Sequence, residues 1–92
     1  MENWLNCTIA SGQFTGEYSV RGQLFDGTEF SLFAEREKLE FDEEPRENKT
    51  VPARIRVVPG AQEGELLLVT LPYPTFENGQ TITVRKNQLR DF

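Results

Sequence analysis

Ninety-two residues, 37% of them hydrophobic, suffice for one modest core and are too few for two. One cysteine excludes an intramolecular disulfide, and the absence of histidine removes the commonest general base and the commonest metal ligand. A net charge of −5 opposes polyphosphate at long range, and the longest apolar run, Leu66 to Val69, is far too short to cross a membrane.

The start, MENWLNCTIA, has neither a basic cluster nor an apolar run, so it is not read as a secretory signal. With the unpaired cysteine this favours a reducing compartment, and the expected location is cytoplasmic. Trp4 to Ala10 alternates, with Leu5, Cys7 and Ile9 on one parity, and predicts a first strand. Ser11-Gly12 is a turn or bulge. Gln13 to Leu24 then alternates throughout: Phe14, Gly16, Tyr18, Val20, Gly22 and Leu24 share one face. A helix would scatter these residues among the polar ones, so the stretch predicts a long strand with Phe14, Tyr18, Val20 and Leu24 inward.

The next turn decides the register. A two-residue Asp26-Gly27 hairpin would set the inward face of one strand against the outward face of the next. A three-residue Phe25-Asp26-Gly27 loop, closed by a left-handed glycine, pairs Leu24 with Thr28, Gly22 with Phe30, Val20 with Leu32 and Tyr18 with Ala34. It leaves Phe25 at the loop tip and Phe33 on the outward face.

Residues 35–50 (EREKLEFDEEPRENKT) carry seven acidic and four basic side chains. Their start reads as a helical turn or as a strand through Leu39 and Phe41, and the remainder as a solvated, mobile acidic loop. Val51 to Val58 alternates between two prolines, Pro52 and Pro59, and predicts an edge strand, with 59–64 a flexible connection. ELLLVTL, residues 65–71, is apolar on both parities and predicts a strand covered on both faces. PYPTFENG is a loop, Thr81 to Val84 a last strand with Ile82 and Val84 inward, and the tail a short turn or 3-10 piece that tucks in Leu89 and Phe92. No internal repeat is legible.

The expected architecture is therefore an all-β domain over 1–92: a small barrel of five or six mainly antiparallel strands. The segment GQTITVRKNQL resembles the closing strand and tight turn of SH3-like barrels. That resemblance puts an SH3-like barrel first and an OB-like barrel or small sandwich second.

No catalytic, cofactor-binding or metal-binding set is read from the residues. Cys7 has no histidine to activate it and faces inward, and the serines lack a partner base. The acidic run lacks calcium-loop spacing, which leaves a carboxylate-based enzyme as the least favoured reading. The expected role is a non-catalytic protein-interaction or accessory module, monomeric or weakly self-associating. Its partner surface is an aromatic patch at one barrel end, drawn from Phe25, Phe33, Pro72, Tyr73, Pro74 and Phe76 and flanked by acidic residues, which favours a basic or amphipathic partner. The competing structural role has Tyr73 and Phe76 capping the barrel and Phe33 packed against Leu39 or Phe41. The alternative function is single-stranded nucleic-acid binding through Arg54, Arg56, Arg85 and Lys86, against which the overall charge argues.

Overall fold

The structure is a computed structural model that describes residues 2–90. It is all-β and antiparallel. Strands β1 (Asn3–Ser11), β2 (Glu17–Gln23), β3 (Glu29–Glu35), β5 (Val51–Glu63), β6 (Leu66–Thr70) and β7 (Thr81–Arg85) form one curled sheet in the order β3-β2-β1-β5-β6-β7. Two two-residue strands, β4 (Leu39–Glu40) and β8 (Leu89–Arg90), pair with β5 and β1. Among the described residues no helix is long and apolar enough to cross a membrane.

The strand order is a palindrome, and the chain is a tandem of two like units. Each runs strand, strand, strand, 3-10 turn, short strand, the turns being Arg36–Lys38 and Lys86–Gln88. The pairs Thr8–Arg21 and Ile9–Val20 of the first unit correspond to Val58–Thr70 and Pro59–Val69 of the second. Val20–Leu32 corresponds likewise to Val69–Ile82, and Tyr18–Ala34 to Leu67–Val84. The two first strands, β1 and β5, pair with each other around Leu5 and Ile55, and each short strand crosses to the other unit: Leu39 lies beside Ile55, Leu89 beside Leu5. The repeat escapes a sequence reading because what recurs is burial, not identity. Leu32, Ala34 and Leu39 are buried as Ile82, Val84 and Leu89 are, and only the last pair matches as letters.

The core is the set of side chains that these pairings turn inward. Leu5, Ile9, Val20, Leu32, Ile55, Leu67, Val69 and Val84 are fully buried, each contributing about 1.5–3 kcal/mol by leaving water. The ends of the sheet are joined by loops: the Phe25 N–H donates to the Thr83 carbonyl (2.9 Å), and the Phe76 N–H donates to the Ser31 carbonyl (3.0 Å). Thus the β2–β3 loop of one unit covers β7, and the β6–β7 loop of the other covers β3. Pro72 and Pro74 in the second loop offer no donor of their own, so the outer edge of β3 is shielded without being extended.

The hairpin register is as expected. Gly22 faces Phe30, Val20 faces Leu32, Tyr18 faces Ala34, and Gly27 has φ +88°. Other expectations need correction. The strand read over Gln13–Leu24 begins only at Glu17, because Gly16 takes φ +84° and Phe14–Glu17 closes as a turn, with the Glu17 N–H donating to the Phe14 carbonyl. Phe14 is therefore 70% exposed instead of inward. β5 runs on through Pro59 and Gly60 to Glu63 and is central, not an edge. Its prolines are tolerated because each sits where one flank is uncovered: β4 reaches only Arg54 and Ile55, and β1 stops at Val57. β6 is covered on one face only, leaving Leu68 exposed. The expected inward position of Phe92 lies outside the described residues.

Residues 35–50 contain the first 3-10 turn, β4 and a loop with specific contacts. The Tyr18 hydroxyl donates to the Glu44 carboxylate (2.9 and 3.0 Å), the Phe41 ring packs 5.3 Å from that of Tyr18, and the Arg36 guanidinium lies 4.1 Å over Phe41. The Ser11 hydroxyl donates to the Pro45 carbonyl. Glu40 joins the two units by accepting from Arg54 Nε (2.8 Å) and from Arg90.

Candidate functional site

The turn that expels Phe14 from the core also builds the site. Phe14 and Glu17 begin and end that turn, and beside them ends the β2–β3 ladder, where Glu17 faces Glu35. Phe33 is two residues before Glu35 on the same outward parity. Tyr73, from the β6–β7 loop, closes the other side. Phe14, Glu17, Phe33, Glu35 and Tyr73, with the small residues Thr15, Gly16 and Ala34, line one shallow depression of about 500 Å3. Phe76 extends the surface: its ring meets Phe33 edge-on at 5.2 Å and remains 61% exposed.

The β6–β7 loop holds its aromatic residues in place by its own hydrogen bonds. Thr75 is buried, its N–H and hydroxyl both donate to the Gly79 carbonyl, and its Oγ1 accepts from the Asn78 N–H. The Gln80 side chain donates to the Leu71 carbonyl. The loop is thereby pre-ordered, which lowers the entropy lost when a partner binds.

The electrostatics are one-sided. Glu17 and Glu35 are directly opposed like charges, an arrangement that is unfavourable by itself, and among the described residues neither has an ion-pair partner. Burial pushes the Tyr73 phenol above its ordinary value, and the carboxylates of Glu35 and Glu37 push it in the same direction. Such a site repels anions and suits a cation.

Of the residues expected in a patch, the structure brings together Phe33, Tyr73 and Phe76. Phe33 packs against Phe76, not against Leu39 or Phe41. Tyr73 is half-buried against the core, whereas Phe76 is mostly exposed. Pro72 and Pro74 shape the same loop. Phe25 stands elsewhere, beside Thr83 and Asn78 in a separate depression. Phe14 was missed because its parity matched the core residues, and the signal against it was Gly16 two places on.

The four basic residues of the alternative site fall in two places. Arg54 and Arg56 lie in β5, paired with Glu40 and with Glu2 (3.1 Å). Arg85 and Lys86 lie at the end of β7, where Arg85 Nε donates to the Phe25 carbonyl (2.9 Å) and the Lys86 N–H to the Glu65 carbonyl (2.9 Å). A second depression, about 420 Å3, is lined by Cys7, Arg21, Gln23 and Gln88, among others. The Cys7 thiol is pushed up to about 12 by burial, which outweighs the opposing charge of Arg54, so little thiolate is present near neutral pH. Among the described residues no group of three or more Cys, Asp or Glu is placed to hold a metal ion.

Comparison with protein-family models, with curated proteins and with solved structures finds no match to this chain.

Proposed function

We propose that this domain is a non-catalytic protein-interaction module whose contact surface is Phe14, Phe33, Tyr73 and Phe76, edged by Glu17, Glu35 and Glu37. One observation carries the reading: aromatic side chains from three separate segments meet at one place outside the core, and two of them, Phe14 and Phe76, are 70% and 61% exposed. Folding gains little from Phe14 in that position, whereas a partner that covered it would gain about 25 cal/mol for each Å2 removed from water. Large aromatics on a pre-ordered loop are the residue types that dominate binding at hot spots. The acidic edge selects a basic or amphipathic partner, and binding weakens as salt rises. A second copy of the same chain is disfavoured, because a two-fold self-contact would set Glu17 and Glu35 against themselves.

The test is affinity capture from the native source with wild type and with a Phe14→Ser/Phe76→Ser variant, both checked for unchanged unfolding midpoints. Proteins retained by wild type and lost from the variant are expected. Identical retained sets with both baits would overturn the reading.

A further inference from the structure

The depression has a more specific chemistry than a generic apolar patch, and its lining says which side chain it takes. Resting on the interaction reading above, we infer that this depression receives a single arginine side chain of the partner, its guanidinium seated among Phe14, Phe33 and Tyr73 and bonded to Glu17 and Glu35.

Three observations converge on a planar cation. First, Glu17 and Glu35 are opposite each other at the end of a ladder, which places their Cβ atoms roughly 5 Å apart on one face. Among the described residues neither carboxylate has a counter-ion, the Tyr73 phenol being the partner that reaches Glu35, and two carboxylates carried on opposed positions can be bridged by one fork of N–H donors. Second, the same depression is walled by three aromatic rings, whose faces attract a cation within about 6 Å and stack best on a flat guanidinium. Third, no arginine lines the depression, and three arginines of the chain are engaged elsewhere. Arg36 lies over Phe41, and Arg54 and Arg90 are bound to Glu40. Elsewhere in the protein, at Arg36, a guanidinium over an aromatic ring is joined to a carboxylate, Glu44, 3.9 Å away. The proposed complex repeats that arrangement with the cation supplied from outside.

The depression is shallow, so it takes the end of one side chain and not a folded ligand. Phe76 continues the surface beyond Phe33 and offers an apolar contact to a residue near the arginine in the partner. The partner sequence is therefore an arginine with an aliphatic or aromatic neighbour, on a segment exposed enough to reach a surface site.

The experiment uses the full chain, labelled with 15N, and titrates it with N-acetyl-arginine N-methylamide and with the citrulline analogue, which keeps the shape and loses the charge. Saturable amide shifts confined to residues 14–17, 33–35 and 73 are expected for the arginine probe, with affinity at least about tenfold weaker for citrulline. A Glu17→Gln/Glu35→Gln variant relieves a like-charge pair and should fold at least as well as wild type; it should lose the arginine response. Equal binding of the two probes, no saturable binding of arginine, or an unchanged response in the Gln variant would overturn the inference. Partner capture with the same Gln variant separates the two claims: a partner kept by the Gln variant but lost from Phe14→Ser/Phe76→Ser leaves the interaction surface standing and removes the arginine, whereas a partner kept by both removes the surface itself.

Discussion

Substituting Gly22 by alanine tests the packing at the loop end of the β2–β3 hairpin. Gly22 lies directly opposite Phe30, and a Cβ built there would stand 2.5 Å from Cζ and 2.6 Å from Cε2 of the Phe30 ring. Carbon atoms pack at about 3.5–4.0 Å, so the ring would have to retreat by about 1 Å. It has nowhere to go: Phe30 is only 1% exposed, and its ring is rigid. Overpacking of this kind costs about 1–3 kcal/mol. Restricting the unfolded chain with alanine returns about 0.4–1 kcal/mol, leaving a net loss of about 1–2 kcal/mol. At roughly 4–8 °C per kcal/mol for a domain of this size, the melting midpoint should fall by about 5–15 °C. Urea unfolding of Gly22→Ala, Phe30→Leu and the double variant measures the coupling. Because the smaller residue makes room for the new methyl, the double variant should be more stable than the sum of the single losses predicts. A Gly22→Ala protein as stable as wild type, or losses that simply add, would refute the close approach.

Acid should probe the junction between the two units. The hydrogen bond from Arg54, and after it the charge of Arg90, holds the Glu40 carboxyl below its usual value. That stabilisation is present above the ordinary glutamate range and is lost as pH falls through the depressed value, so Glu40→Gln should flatten the acid limb of stability measured by urea unfolding from about pH 7 to about pH 3. An unaltered acid limb would show that the contacts contribute nothing. Cys7 should resist alkylation: a thiol raised from 9.0 to about 12 holds about 1,000-fold less thiolate near neutral pH, so iodoacetamide labelling should be slow in the native protein and fast in urea. Equal rates in the two conditions would place the thiol in contact with water.

The register of the first hairpin was legible because two independent signals agreed, the parity of Tyr18, Val20 and Gly22 and the glycine at position 27. Where only one signal was present, parity misled. It carried Phe14 into the core although Gly16 interrupts the strand, and the unbroken apolar run of 65–71, with no alternation to read, placed Leu68 under cover although β6 has only one dry face. The prolines of β5 read as an edge because a sequence does not show which flank of a strand is covered. The candidate site was half-visible for a related reason. Tyr73 and Phe76 stand in an obvious loop, and the register that sets Tyr18 against Ala34 also sets Glu17 against Glu35, but the approach of Phe14 and Tyr73 to that pair depends on three segments meeting, and no local pattern records that meeting. The tandem of units was hidden most completely, since Leu32 with Ile82 and Ala34 with Val84 preserve volume and dryness without preserving the residue.

The bond between Glu40 and Arg90 joins positions that hold the same place in the two units, and they carry opposite charges. Were the first unit to associate with a copy of itself, glutamate would meet glutamate there; were the second to do so, arginine would meet arginine. Only the mixed assembly brings opposite charges together there, with Glu40 bound by Arg54 as well as by Arg90. A chain severed in the exposed stretch between 46 and 49 would thus yield two fragments that discriminate against their own kind and reunite with each other, a built-in complementation pair.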